Sequence, residues 1–123
     1  MKKHLDAKEK GQVDYDYKND ILFFKIKNRE YKTSLDFGDF IIDIDNEGFA
    51  TGIQVIDASK IFKRPKEDLR SVKDWQFSTK IENNIISIQL AFAITKRNKI
   101  IIQQNFEREA KSRLADSEVE CTI

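Results

Sequence analysis

The sequence predicts a mainly antiparallel β (α+β) fold, two packed β-meanders with two or three short helices. Three observations predict it. Apolar and polar residues alternate with a period of two in segment after segment, as in Val13-Asp-Tyr-Asp-Tyr17 and along Ile86, Ile88, Leu90, Phe92 and Ile94. Tight-turn residues separate these segments, as at Lys18-Asn19-Asp20, Asp45-Asn46-Glu47-Gly48 and Asn83-Asn84. Helix signals are confined to short stretches after Asp57, after Pro65 and after Phe106.

Residues 1–12 read as a flexible N-terminal arm. They hold four Lys and only two larger apolar side chains, Met1 and Leu5, so they bury little. Residues 13–123 read as a single β-rich domain. Val13 to Tyr17 and Ile21 to Lys27 form a hairpin across Lys18-Asn19-Asp20. Asn28 to Lys32 is polar and turns. Thr33 to Phe37 is a short strand broken by Gly38-Asp39.

The stretch from Phe40 to Ser59 is the centre of the pattern. Phe40 to Asp45 places Ile42 and Ile44 on one face, with Ile41, Asp43 and Asp45 on the other. Asp45 to Gly48 supplies the positive-φ positions of a hairpin turn, and Phe49 to Ile56 returns. Gly52 marks a bulge or a close backbone contact. Asp57 or Ser59 caps a helix that buries Ile61 and Phe62. Pro65 suits the first turn of a second short helix, Lys66 to Val72.

Residues 75–106 read as a second meander. Trp75 to Ile81, Ile85 to Thr95 and Ile100 to Phe106 are its strands, with turns at Asn83-Asn84 and Lys96 to Lys99. In the 107–123 segment, Phe106, Ala110 and Leu114 recur at i, i+4 and i+8, which predicts a helix over Glu107 to Ala115. Ser117 to Ile123 then forms a short edge strand or a tail.

Composition bounds the function. A chain of 123 residues supports one core without a metal or disulfide staple. The formal net charge of +1 supplies no global pull towards nucleic acid or membrane. A single cysteine, Cys121, excludes an intrachain disulfide and suits a reducing compartment, so a cytoplasmic location is expected. Met1 to Lys10 has no apolar core of a secretory signal, and no apolar run approaches the roughly 18–20 residues of a spanning helix.

Charge is nevertheless uneven. Asp14 to Asp57 carries ten acidic residues against five basic ones, whereas Ala58 to Lys73 carries six basic against two acidic. The acidic part offers one candidate metal site, Asp43, Asp45 and Glu47. Its spacing starts like an EF-hand loop, but the twelfth position is Gln54 in place of the bidentate Glu, and strands flank it. A solvated hairpin turn explains the same residues. The basic part, Lys60, Lys63, Arg64, Lys66 and Arg70, continues to Lys73 and lies near Phe62 and Trp75, a pattern that fits nucleic acid. The wet side of two short helices explains it as well.

Nucleophilic and cofactor chemistry find no motif. There is no G-x-S-x-G, no phosphate loop and no C-x-x-C, and the single His, His4, has no Cys or carboxylate cluster beside it. No catalytic residue and no cofactor are assigned.

Two blocks carry a family likeness. Tyr15-Asp16 is followed by Asp20, Leu22 and Phe23. Ile41-Ile42 is followed by Asp43, Asp45 and Gly48, then by Gly52-Ile53-Gln54-Val55-Ile56-Asp57-Ala58-Ser59. Over about residues 14–60 the chain resembles the YuzE-like family, domain of unknown function 2283, in an extended form with Gln54 where Glu is expected. The resemblance implies a compact β-rich domain of small prokaryotic proteins, some of which travel with toxin-like partners, and it assigns no site residues. The expectation is therefore a protein-interaction module, antitoxin-like or self-associating. Metal or small-ligand chemistry at the acidic hairpins is the first alternative, and nucleic-acid binding through 60–73 the second.

Overall fold

The structure, a computed structural model, describes residues 3–96 and 99–123. Among them, ten strands form two five-stranded sheets. The strands are β1 Lys3–Asp6, β2 Gly11–Asp16, β3 Ile21–Ile26, β4 Tyr31–Asp36, β5 Phe40–Asp45, β6 Ala50–Ile56, β7 Val72–Glu82, β8 Ile85–Lys96, β9 Lys99–Lys111 and β10 Ser117–Thr122. A one-turn helix α1, Ala58–Ile61, and a 3₁₀ turn, Lys66–Ser71, link the sheets. The expectation of a β-rich protein with few helices holds. No helix among the described residues is long and apolar enough to cross a membrane.

The first sheet has the order β2-β3-β6-β5-β4 and the second β1-β10-β7-β8-β9. The first is therefore not a plain meander. Hairpin β2-β3 docks against β6, the last strand of the meander β4-β5-β6. Turn chemistry sets the hairpins. Asn83 and Asn84 have φ 52° and 64°, the paired left-handed residues of a type I′ turn between Glu82 and Ile85.

The sheets pack face to face, and aromatic side chains fill the seam. The Phe24 ring lies 5.1 Å from that of Trp75 and 5.7 Å from that of Phe92. Phe62, on the link between the sheets, sits edge-on to Phe92 at 4.9 Å. Leu22, Ile42, Ile53, Ile81, Ile86 and Ile88 are fully or almost fully buried around them. Gly11 is required where β2 approaches the second sheet. A Cβ there would stand 2.2 Å from the Trp75 ring and 2.7 Å from the Cys121 sulfur.

Three expectations are corrected. The described part of the N-terminal arm is not free, because Lys3–Asp6 adds as a parallel strand to β10, with Leu5 opposite Val119. Backbone hydrogen bonding supplies what its sparse apolar content cannot. Glu107 to Ala115 is not a helix. Strand β9 continues to Lys111, with Glu107 to Lys111 each paired across to β8, and Leu114 follows in a loop. Ser117–Thr122 is not an edge strand, since β10 lies between β1 and β7. Of the expected turn at Lys96 to Lys99, Arg97 and Asn98 lie outside the described residues.

Candidate functional site

The Asp20 carboxylate is the node of the first sheet. Asp20 ends the β2-β3 turn in the left-handed region, φ 57°, and is 6% exposed. Its Oδ1 accepts from the Tyr15 hydroxyl at 2.6 Å and from the Ser59 backbone N–H at 3.0 Å. Its Oδ2 accepts from the Ser59 hydroxyl at 2.6 Å. The Asp20 carbonyl accepts from the Ala58 N–H. Burial opposes ionisation here, but the hydrogen bonds from Ser59 and Tyr15 outweigh it and hold the Asp20 carboxyl below its ordinary range. Burial and the Asp20 contact in turn push the Tyr15 phenol above its ordinary range.

This arrangement corrects the cap of α1. Asp57 stands at the N-cap in the left-handed region, φ 53°, and makes no side-chain cap bond. The free N–H groups at the helix start are met by Asp20, which comes from a hairpin 39 residues upstream of Ser59. Asp20 and Ser59 were both visible in the sequence as turn and cap residues. Their contact had no local signal.

The three candidate metal ligands serve separate structural tasks. Asp45 is 1% exposed, and all its acceptor capacity faces protein. Oδ1 accepts the N–H groups of Glu47 and Phe49, both at 2.9 Å. Oδ2 accepts from Arg29, Nε at 2.8 Å and a terminal nitrogen at 2.7 Å. Asp43 lies on the outer face of the first sheet, where it accepts from Ser34 at 2.8 Å and Gln54 at 3.1 Å. Gly52 lies beneath it, since a Cβ there would stand 3.2 Å from an Asp43 oxygen. Both readings of Gly52 apply, because the β5-β6 register also shifts after Asp43. Glu47 is exposed and reaches Arg29 at 3.3 Å. Among the described residues no group of three or more His, Cys, Asp or Glu is placed to hold a metal ion.

The basic segment is partly absorbed by the fold. Arg64 donates to buried Asp68 at 2.6 Å, and Lys96 reaches the other Asp68 oxygen at 2.8 Å. Contact with Lys96 and then Arg64 holds the Asp68 carboxyl below its ordinary range against the effect of burial. Arg70 lies 4.0 Å and Lys66 5.3 Å from the centre of the Tyr17 ring, and Lys66 donates to the Tyr17 carbonyl. Phe62 and Trp75 are core residues, 6% and 2% exposed, with no face for a base to stack on. Lys60, Lys63 and Lys73 point to solvent.

Sequence reasoning missed the outer face of the first sheet. Pairing places Asp14, Phe23, Gln54, Ile41 and Asp36 in one row across five strands. Asp16, Ile21 and Ile56 form the next row. Ile21, Phe23, Ile41 and Ile56 are each half-buried, and none packs against the core, which the opposite faces of their strands supply. They form an arc around Gln54, which stands between Phe23 and Ile41, and exposed Lys25 follows Phe23 on the same face of β3. Asp14 and Asp16 flank the arc on β2, and Asp36 on β4. The uneven charge of residues 14–57 was the available signal. The outer face of the second sheet differs. Its centre is polar, a groove of about 380 Å³ lined by Gln76, Ser78, Gln89, Asn105, Glu107 and Glu120 among others.

Fold and site together define a small two-sheet β protein whose signature carboxylates cap turns and a helix, and whose first sheet turns a part-apolar face outward. The chain belongs to the protein family of unknown function DUF2283, whose model matches residues 12–59. That segment is the first sheet with the Ser59 tie. A protein of Methanosarcina mazei named "Putative hypoxanthine phosphoribosyltransferase" is 34% identical over 90 residues, 73% of each chain. An uncharacterised protein of Methanocaldococcus jannaschii is 33% identical over 97 residues, covering 78% of this chain and 84% of its own. Alignments of that length run past residue 59 into the second sheet. No solved structure matches the chain.

Proposed function

We propose that this protein is a non-enzymatic, cytoplasmic protein-interaction module that docks a partner protein on the outer face of its first sheet. One observation carries the reading. Ile21, Phe23, Ile41 and Ile56 are grouped outside the core around Gln54, with Asp14 and Asp16 on one side, Asp36 on the other and Lys25 at one end. Single exposed apolar residues are ordinary on a protein surface, whereas a group of them with a polar rim has the anatomy of an interface. Completing the burial of each of these side chains contributes about 1 kcal/mol to association. Neutralising a partner, as an antitoxin does, is one form of this role.

The transferase name of the Methanosarcina relative, carried to this chain, requires a cradle for a phosphorylated sugar. The four glycines that could shape one are committed elsewhere. Gly38 and Gly48 make turns, Gly11 clears Trp75, and Gly52 clears Asp43.

The test is native mass spectrometry of the untagged chain, purified gently from its host, beside a Phe23→Ser, Ile41→Ser variant. A stoichiometric second protein on the wild type, lost from a variant with an unchanged melting temperature, supports the reading. A complex that survives in the variant overturns it.

A further inference from the structure

We propose that the outer face of the second sheet binds a linear polyamine, an aliphatic chain with an ammonium group at each end, in the groove between Glu107 and Glu120. This site is separate from the docking face of the first sheet.

Register builds the groove. Glu120 on β10, Ser78 on β7, Gln89 on β8 and Glu107 on β9 stand side by side in one row across four strands. Gln76, Ala91 and Asn105 form the row beside it. The small side chains of Ser78 and Ala91 make the floor, and longer ones rise around them, leaving a groove of about 380 Å³. Phe77, Leu90 and Cys121 turn their side chains into the core, so no ring or aliphatic wall faces this space.

The polar groups here are uncommitted. On the first sheet, Ser34 and Gln54 donate to Asp43 and occupy one another. Among the described residues, the side chains of Gln76, Ser78, Gln89, Asn105, Glu107 and Glu120 have no hydrogen-bond or ion-pair partner within the chain. They are free to take a ligand that brings its own donors.

Charge and spacing select that ligand. Glu107 and Glu120 are the charged residues lining the groove, and no cation lines it. Lys80 stands in the next row and is paired with Glu82 at 3.1 Å. The groove therefore favours a cation and disfavours an anion. Three strand spacings, about 14 Å, separate the two glutamates. One metal ion, with oxygen ligands at about 2.0–2.6 Å, cannot bridge that gap. Two ammonium groups on one chain can. With a charge-assisted contact of about 2.8 Å at each end, the end nitrogens lie about 8–14 Å apart. A chain of that length passes over Ser78 and Gln89, whose oxygens accept from an inner ammonium.

The probe is spermidine, titrated into the isotope-labelled full chain at about 0.15 M salt, where long-range attraction is screened. It is expected to shift the amides of Ser78, Gln89, Asn105, Glu107 and Glu120 and to saturate. A Glu107→Gln, Glu120→Gln variant should bind it about tenfold more weakly with an unchanged melting temperature. Glu109→Gln, in the next row, should leave the affinity unchanged. Trimethylenediamine, too short to reach both glutamates, should bind about tenfold more weakly than spermidine, and magnesium chloride should not reproduce the shifts. Equal binding of the short diamine, equal shifts at Asp14, Asp16 and Asp36, or unchanged affinity in the double variant overturns the inference. So does a Lys-rich peptide that shifts these amides where spermidine does not, because the groove is then a protein contact.

Discussion

Asp20 holds Ser59 twice, through the backbone N–H at 3.0 Å and the hydroxyl at 2.6 Å, and so joins the first hairpin to the helix that leaves the sheet. Ser59 is the last residue of the family-matched segment, and Asp20 ends that segment's first turn. Ser59→Ala removes one hydrogen bond and leaves the other. It should lower stability by about 1 kcal/mol, read as a lower urea midpoint with unchanged slope.

Asp20 also gives a pH signature. Its carboxyl titrates lower in the folded chain than in the unfolded one, where an Asp titrates near 3.9. The stabilisation is therefore fully present above that value and is lost as pH falls through the folded pKa. Asp20→Asn should flatten the acid side of a stability–pH curve and change little in its slope above about pH 6. Urea titrations at stepped pH check it.

Buried Asp45 and part-exposed Arg29 make the ion pair under the central hairpin turn. Asp45→Ala leaves the Glu47 and Phe49 N–H groups and the Arg29 guanidinium without their acceptor. It should cost about 3–5 kcal/mol. Glu47→Ala, at an exposed position, should cost under about 1 kcal/mol. Neither loss should depend on added chelator or calcium in a thermal melt. A melting temperature that rises with calcium and falls with chelator would favour the metal alternative.

Cys121 is fully buried on β10, and burial, with the nearby Asp6 charge, pushes its thiol up to about 11. At pH 8 the native thiol should react with a disulfide reagent far more slowly than the same chain in urea. Gly11→Ala drives a methyl group into Trp75 and the Cys121 sulfur. It should cost about 1–3 kcal/mol, and it should make that thiol more reactive by loosening its surroundings.

The elements legible in the sequence are those with local causes. Asn83-Asn84, Asp45 to Gly48 and the alternation of Ile86 to Ile94 each specify themselves within a few residues. The misread elements lack that property. Phe106, Ala110 and Leu114 are four apart, which suits a helix, but Phe106 and Ala110 also share parity and so suit one face of a strand. Arg108 stands between them on the inner face, which disguises the strand. It is tolerated because β9 is an edge, and the guanidinium crosses to Asp39 of the first sheet at 3.1 Å while stacking on Phe106. Strand β1 gains its order from a partner more than a hundred residues away. The candidate site divides in the same way. Asp43, Asp45 and Glu47 were visible as a motif, but only register shows that Ile21, Phe23, Ile41 and Ile56 share an outward face.

The most direct measurement is radical footprinting of the chain twice, once isolated and once in gently lysed host extract. Phe23, Ile41 and Ile56 should label in the isolated protein and be protected in the extract. Ile85, 44% exposed on the second sheet, should label equally in both. Equal labelling of Phe23, Ile41 and Ile56 in the two samples would contradict the docking face.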